Sequence, residues 1–299
     1  MPLTVLVPGG TGQLGRDLFA LAGEGVEVLA PGSAELDLTK TSDVLKAVKD
    51  LVARAEQAGA KPVVINAAAY TAVDAAEDDE DRAFAINADG PRVLAAACSS
   101  RRVPLVHVST DYVFAGDRSG ADAVPYEPSD PIAPRSAYGR TKAAGEDAVL
   151  GSGAQAWVVR TAWVYGSTGR NFVKTMVRLE GEREVLSVVD DQRGSPTASA
   201  DLAAGLLELA KLITDGKAPE QRVLHATGGG DTTWFGFARA IFAAVGADPE
   251  RVKPCTSADF PSKVARPAYS VLSGTAWREA GLTPLRPWED ALKEYFAKA

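Results

Sequence analysis

The sequence predicts an α/β protein with a Rossmann-like, doubly wound parallel sheet and a smaller C-terminal lobe. Short apolar runs alternate with helix-length segments through the first half of the chain, which is the pattern of βαβ units. The runs are apolar throughout rather than alternating with polar residues, as in strands that helices cover on both faces. A glycine-rich turn follows the first apolar run, at the point where such a fold begins its first helix.

Five strands are predicted in the first half of the chain, with helices between them. The strands cover residues 3–7, 26–30, 62–66, 105–109 and 156–160, and the helices cover 13–22, 41–58, 83–99 and 136–150. Beyond about Val164 the pattern loosens, with helices predicted over 171–181, 199–212 and 233–245, strands over 185–189 and 222–226, and a loop over 254–273. We therefore divide the chain into a domain over residues 1–165 and a lobe over 166–299 that is interleaved with it.

The composition argues against several classes of partner. The 299 residues carry a net charge of −7 and no basic stripe, so we expect neither nucleic acid nor an anionic membrane as a partner. No apolar run is long enough to cross a bilayer. Cys98 and Cys255 lie far apart, which favours a reducing compartment over a disulfide framework. Since the chain begins directly with a strand pattern, we expect a cytoplasmic protein, as a monomer or a homodimer.

The glycine-rich turn GGTGQLG, residues 9–15, has the spacing of a dinucleotide-binding loop. Gly10, Gly12 and Gly15 fit G-x-G-x-x-G, and Gly9 extends the pattern. Glycine allows a tight turn and a close approach to a pyrophosphate, whose charge the N–H groups at the helix start favour. The alternative is a flexible turn, but its place between a strand and a helix favours a nicotinamide cofactor.

The choice between NADPH and NADH depends on the residues after the second strand. An NAD site usually has Asp or Glu there, on the ribose hydroxyls, whereas this chain has Pro31-Gly32-Ser33. Arg16 could meet a 2′-phosphate, although it could equally be a solvated helix residue. We therefore expect NADPH to be slightly preferred, with NADH open.

The third strand ends in small residues, Ala67, Ala68 and Ala69, followed by Tyr70. Small side chains at the carboxyl end of a strand let the backbone approach a dinucleotide. The alternative is an ordinary alanine-rich core.

Tyr138 and Lys142 lie at positions i and i+4 of a predicted helix, hence on one face. A nearby ammonium favours tyrosinate, so Lys142 would lower the pKa of Tyr138 toward working pH and let it transfer a proton to or from an alcohol oxygen. Thr110, at the end of the fourth strand, would donate a second hydrogen bond to the reacting oxygen. The alternatives are a surface pair for Tyr138 and Lys142 and a simple turn or cap for Thr110.

Seven segments together resemble the dTDP-4-dehydrorhamnose reductases, a family of extended short-chain dehydrogenases/reductases. In chain order they are GGTGQLG (9–15), NAAAYTAVD (66–74), STDYVF (109–114), YGRTK (138–142), RTAWVYG (160–166), DDQRGSPT (190–197) and ARP (265–267). The resemblance spans nearly the whole chain. It implies NADPH- or NADH-driven reduction of the C4 ketone of dTDP-4-dehydro-β-L-rhamnose to dTDP-L-rhamnose, with the residues after 165 mainly binding the sugar nucleotide.

The resemblance also implies roles for individual residues. The cofactor-contacting set is Gly12, Gln13, Leu14, Asp37, Leu38, Ala68, Ala69, Tyr70, Val108, Tyr138 and Lys142, to which the loop and strand-end patterns add Gly9 and Ala67. Thr110, Asp111 and Trp163 would contact the sugar nucleotide, and Asn171, Arg193 and Arg266 could bind its diphosphate. For each arginine, a surface ion pair is the alternative.

Some alternatives stay open from the sequence. Tyr112 stands where related dehydratases carry a glutamate, and a phenol with a pKa of roughly 10 replaces a carboxylate poorly, so reduction fits better than dehydration. A sugar-nucleotide epimerase, another sugar-nucleotide reductase and a nucleotide-binding regulatory subunit on the same fold remain alternatives. No metal motif is clear, and Mg²⁺ stays open because Asp17, Asp201 and Glu289 match acidic positions that hold a divalent ion in some relatives. His107 and His225 are interpreted as buried strand residues.

Overall fold

A parallel six-stranded sheet forms the centre of the computed structural model, which describes residues 1–118, 123–260 and 262–298. The strands of these ranges are, in chain order, β1 (Leu3–Leu6), β2 (Val26–Leu29), β3 (Lys61–Asn66), β4 (Leu105–Thr110), β5 (Ala156–Thr161), β6 (Val164–Tyr165), β7 (Leu186–Val189), β8 (Arg193–Gly194), β9 (Thr197–Ala198), β10 (Val223–His225), β11 (Thr232–Thr233) and β12 (Val252–Cys255). The large sheet has the order β2–β1–β3–β4–β5–β10, with all neighbours parallel.

Helices cover both faces of this sheet. They are α1 (Gln13–Ala20), α2 (Thr41–Ala58), α3 (Val73–Ala76), α4 (Glu80–Phe84), α5 (Gly90–Arg101), α6 (Ala137–Leu150), α7 (Phe172–Glu182), α8 (Ser199–Thr214), α9 (Trp234–Ala244), α10 (Thr275–Glu279) and α11 (Trp288–Ala297). One buried apolar cluster joins the sheet to α1 and α8, and a second joins it to α2 and α5. Because the sheet is apolar on both faces, as its sequence predicts, the doubly wound α/β fold is confirmed.

The order of the strands reverses between β1 and β3. In an open parallel sheet, ligands bind outside the carboxyl ends of the strands at such a reversal. The glycine turn after β1 and the alanine segment after β3 both lie at this edge. The fold therefore brings two of the predicted cofactor segments together.

The second half of the chain contributes to both the large sheet and a separate core. Strand β10 pairs with β5, and helix α8 packs against α1. A third apolar cluster joins α7, α9 and α11, and small two-stranded pairings join β7 to β12, β6 to β9 and β8 to β11. The division of the chain at residue 165 stays a prediction. Within the described residues, no helix combines the length and apolarity that a bilayer crossing requires.

The helix predicted over residues 83–99 is interrupted in the structure. Helix α4 ends at Phe84, a π-helical turn spans Ala85–Asp89, and α5 begins at Gly90. Within this turn the Asn87 amide accepts a hydrogen bond from the Tyr70 N–H (2.8 Å) and donates to the Tyr70 carbonyl (3.1 Å). The wider π-helical turn directs the Asn87 side chain toward the segment that contains Tyr70. Helical periodicity alone does not predict this contact. The predicted loop over 254–273 is also too long, because β12 continues to Cys255.

Candidate active site

A cavity of about 470 Å³ opens at the carboxyl edge of the large sheet. Its wall is formed by the glycine turn, the ends of β3, β4 and β5, the start of α6, and Trp234 at the start of α9. Of the sequence-predicted site residues, those in the wall are Gly12, Gln13, Leu14, Ala67, Ala69, Val108, Thr110, Asp111, Tyr138, Lys142 and Trp163. The predicted cofactor, proton-transfer and sugar residues thus meet at one opening.

The remaining predicted residues lie outside this wall. Gly9 packs against Ala68, where a Cβ on the glycine would lie 2.8 Å from the alanine backbone. Tyr70 packs on a small cluster of buried alanines, and Leu38 is buried in the second apolar cluster. Asp37 accepts hydrogen bonds from both the N–H and the hydroxyl of Thr39, and these bonds hold its pKa below the ordinary value. The structure places all these residues, and their cofactor and substrate roles remain predictions.

The glycine turn has the geometry that a bound pyrophosphate needs. Gly9 adopts a φ of +83°, which favours glycine. A Cβ on Gly15 would lie 2.3 Å from the Gly9 carbonyl oxygen, so a side chain there would force the turn away from α1. Gly12 caps α1 without a side chain, so the free N–H groups of the helix start face the cavity. These residues fit a dinucleotide phosphate.

Opposite charges flank the turn near the end of β2. The Arg16 Nε donates to the Thr11 carbonyl at 3.0 Å, and the Glu35 carboxylate accepts from the Gly32 N–H at 3.0 Å. Thr11 and Gly32 adjoin each other, because a Cβ on Gly32 would lie 2.7 Å from the Thr11 side chain. Sequence spacing did not predict that Glu35 folds back to this point. A carboxylate is therefore present where the sequence suggested none.

Tyr138 lies in the first turn of α6. Ser136 caps this helix, since its hydroxyl accepts a hydrogen bond from the Gly139 N–H at 3.0 Å. Burial raises the pKa of the Tyr138 hydroxyl well above its ordinary value, and a hydrogen bond with Thr110 partly opposes that rise. The sequence-based expectation that Lys142 lowers the pKa of Tyr138 is thus not met in this structure. Burial dominates, and the Lys142 amine is bonded to the Val108 carbonyl instead. Tyr138 is held protonated at neutral pH.

Lys142 is almost completely buried one turn further along α6. Its Nζ donates to the Val108 carbonyl at 2.7 Å and lies 3.3 Å from the Nε2 atom of His107. Burial lowers the pKa of Lys142 to about 8, and the charge of Glu146 opposes this change. Sequence reasoning placed His107 in the core, where it lies, but missed its contact with Lys142.

Thr110 and Asp111 form a buried polar pair at the end of β4. The Thr110 hydroxyl donates to the Asp111 carboxylate at 2.9 Å and accepts from the Tyr112 N–H at 3.2 Å. Burial raises the pKa of Asp111 to about 6, and the Ser270 and Thr110 hydroxyls partly oppose that rise. The buried Oδ2 atom makes no hydrogen bond of standard geometry among the described residues. A carboxyl group with a free acceptor in the cavity wall is suited to bind a sugar hydroxyl.

Two tryptophans stack at the opposite side of the cavity. The Trp163 and Trp234 rings are nearly parallel, with centroids 3.5 Å apart. Trp163 has a φ of 49°, a strained conformation for an aromatic residue. Gly194 permits it, because a Cβ on that residue would lie 2.5 Å from the Trp163 ring. The sequence pointed to Trp163 and missed Trp234.

The predicted diphosphate residues are engaged within the protein. Arg266 pairs with Asp74, although its Nη1 atom is buried and has no partner among the described residues. Arg193 pairs with Asp231. Asn171 caps α7 through the Lys174 N–H at 3.0 Å, and its Nδ2 donates to the Gln13 side chain at 2.8 Å. The Nη1 group of Arg266 therefore keeps its donors unpartnered among the described residues, whereas Asn171 acts on the turn through Gln13.

Two of the three acidic residues considered for Mg²⁺ have protein partners. Asp201 pairs with Arg286, and Asp17 accepts a hydrogen bond from Ser199. Glu289 is exposed in the first turn of α11. In the described ranges, no group of three or more potential ligands is arranged to hold a metal ion.

Comparison with known proteins assigns the chain to a family. Residues 3–299 match the family model described as the RmlD substrate binding domain. The chain belongs to this family. A dTDP-4-dehydrorhamnose reductase from Mycobacterium tuberculosis is 49% identical over 290 residues, covering 96% of this chain and 90% of that protein. The resemblance read from the seven segments is confirmed.

Two further proteins similar to this chain are informative about its activity and its cofactor. A probable dTDP-4,6-dihydroxy-2-methyloxan-3-one 4-ketoreductase from Streptomyces antibioticus is 47% identical, covering 97% of this chain and 94% of that protein. The crystal structure of a dTDP-4-dehydrorhamnose reductase from Bacillus anthracis in complex with NADP has a TM-score of 0.89 and 35% identity, covering 100% of both chains. These relatives are reductases, and their names include more than one dTDP-linked ketosugar.

Proposed function

We propose that this protein reduces the C4 ketone of dTDP-4-dehydro-β-L-rhamnose to dTDP-L-rhamnose with NADPH or NADH. One observation carries the proposal: the glycine turn, Tyr138 and the Thr110–Asp111 pair all line one cavity. A dinucleotide loop beside a protonated acid is the arrangement that ketone reduction requires. The names of the relatives supply the dTDP-linked deoxysugar.

The chain's own residues provide binding and the proton. Gly12, Gln13 and Leu14 would hold the dinucleotide, which supplies a hydride when bound. The Tyr138 hydroxyl donates its proton to the oxygen that becomes the C4 hydroxyl, which agrees with its raised pKa. Lys142, once charged, stabilises the tyrosinate that is left behind.

The sugar nucleotide is held by residues from both halves of the chain. The Asp111 carboxyl accepts a hydrogen bond from a sugar hydroxyl at its Oδ2 atom. Thr110 polarises the ketone once its hydroxyl turns from Asp111 to the substrate. Trp163 forms the wall beside the sugar, and Arg266 offers its free Nη1 to the diphosphate. Asn171 supports the cofactor loop through Gln13.

The proposal is tested by following absorbance of the reduced nicotinamide with enzymatically prepared dTDP-4-dehydrorhamnose, using NADPH and NADH in separate reactions. We expect oxidation of the cofactor in step with formation of dTDP-L-rhamnose. Turnover only with another dTDP-linked ketosugar would support the proposed ketone reduction but show that dTDP-4-dehydrorhamnose is not the substrate. Nucleotide binding without turnover of any such sugar would favour the regulatory-subunit alternative.

We also propose a cytoplasmic location and a monomeric or homodimeric state. Cys98 and Cys255 are both unpaired, and Cys98 is buried, which agrees with a reducing compartment. Sedimentation velocity at several protein concentrations distinguishes the two oligomeric states.

A further inference from the structure

His107 lies directly beneath the amine of Lys142. The imidazole is fully buried on β4, and its Nε2 atom is 3.3 Å from the Lys142 Nζ. Gly145, one turn along α6 from the lysine, lets this helix pack closely, since a Cβ there would lie 2.1 Å from the Asn87 carbonyl oxygen. The contact is therefore built into the packing of α6 against β4.

The protonation of the imidazole is set from its other side. The Ala68 N–H, which can only donate, bonds to the Asn66 Oδ1 at 3.2 Å. The Asn66 amide must then present its NH₂ group to the His107 Nδ1, 3.0 Å away. That nitrogen is consequently an acceptor, and a neutral imidazole carries its proton on Nε2, facing Lys142.

The tautomer determines which form of Lys142 fits the site. Burial and the nearby Lys142 lower the pKa of His107 well below its usual range, so the ring stays neutral. An uncharged lysine amine can accept the Nε2–H bond and donate to the Val108 carbonyl, whereas an ammonium has no lone pair to accept it.

We propose that His107 is a positioning residue for Lys142, which holds the lysine amine through its Nε2–H and sets the pH at which Lys142 gains its charge. Besides His107, the charged group that acts on the lysine is Glu146 on the same helix, which is paired with Arg160 on β5. Tyr138 lies one turn earlier on α6, and Asp111 beyond β4 acts on Tyr138. His107, whose Nε2–H points at the amine, is the direct contact that opposes the ammonium. The inference rests on the proposed role of Lys142, but its first test does not require turnover.

The tautomer can be measured directly, because the chain has two histidines. In ¹⁵N-imidazole-labelled wild-type protein, His225→Gln identifies the second ring. We expect the His107 ring to keep the Nε2–H tautomer between about pH 6 and pH 9 without titrating, and its Nε2 signal to respond as Lys142 titrates near pH 8. An Nδ1–H tautomer or a titrating ring would overturn the proposal, whether or not the protein reduces sugars.

The kinetic test compares His107→Gln with His225→Gln, a change at the other buried histidine, which lies on β10 away from Lys142. Glutamine at position 107 can turn its carbonyl oxygen to the lysine and favour the ammonium. We expect the high-pH limb of kcat, where the Lys142 charge is lost, to move up by about one pH unit in His107→Gln and to stay unchanged in His225→Gln. The same pKa for the high-pH limb of kcat in both variants would overturn the proposal.

Discussion

Single buried groups determine the chemistry of this cavity. Tyr138, Asp111 and Lys142 all have pKa values displaced by burial, each toward its uncharged form. Tyr138 and Asp111 follow from the sequence as candidates, because their residue types and positions are visible there. Their protonation is not visible, since it depends on how tightly α6 closes over β4.

Asp111 makes stability depend on pH in a direction opposite to most carboxylates. Its pKa is about 6 in the folded protein against 3.8 for the free group, so folding favours the protonated form. The corresponding stability is present below about pH 4 and is lost as the pH rises through about 6. We therefore expect Asp111→Asn to increase the free energy of unfolding at pH 8 by about 1–3 kcal/mol more than at pH 5.

Urea unfolding of both proteins at the two pH values measures this difference. An effect of Asp111→Asn that is equal at both would show that the carboxyl has an ordinary pKa.

Arg16 and Glu35 should set the cofactor preference between them. A 2′-phosphate would gain from Arg16 and be repelled by Glu35, while a ribose hydroxyl could donate to that carboxylate. We expect Arg16→Ala to lower the ratio of kcat/KM for NADPH to that for NADH by about tenfold, and Glu35→Gln to raise it by a similar factor. Steady-state kinetics with both cofactors measures the ratio, and no change in either variant would locate the discrimination elsewhere.

At the scale of elements, α6 is fixed to the sheet by a buried ion pair. Glu146 on α6 binds Arg160 on β5 through three hydrogen bonds: Nε donates to Oε1 at 2.9 Å and to Oε2 at 3.2 Å, and Nη2 donates to Oε2 at 2.7 Å. Both side chains are at most 5% exposed. The pair holds the helix that carries Tyr138 and Lys142.

Removal of one partner leaves the other charge buried and unpaired, which costs about 3–5 kcal/mol. We therefore expect Glu146→Ala to lower the free energy of unfolding by that amount. Glu182→Ala is the matched control, since it breaks the exposed pair with Arg178, whose atoms are 2.6 Å apart, and should cost less than about 1 kcal/mol. Similar losses in the two variants, measured by urea unfolding, would contradict a special role for the buried pair.

The sequence predicts most of these elements because each has its own periodicity and end signals. The strand–turn–helix unit around Gly9 and the helix that Ser136 caps are examples. The π-helical turn at Asn87 and the stack of Trp163 on Trp234 could not be predicted in this way, because both depend on residues distant in sequence. The local sequence pattern identifies a helix or strand, whereas irregular features such as the π-helical turn arise from tertiary packing.

At the scale of the whole molecule, the cavity depends on the interleaving of the two halves of the chain. The cofactor loop, the proton donor and Asp111 come from the first half, and Trp234 from the second. In a protein with a charge of −7, the proposed anionic ligands need local binding groups, and the start of α1 and the Nη1 group of Arg266 are the proposed ones. Sequence motifs predicted the glycine turn and the polar strand ends separately. The strand order explains why these segments meet at one cavity.

The central claim is that Tyr138 supplies the proton for ketone reduction in this cavity. Its most direct test is kcat of Tyr138→Phe with dTDP-4-dehydrorhamnose, together with the Kd for NADPH by fluorescence titration. We expect kcat to fall by about 10²- to 10⁴-fold, the usual contribution of a positioned acid, with the Kd within about threefold of wild type, since the glycine turn is unchanged. A kcat close to that of the wild type would contradict the account.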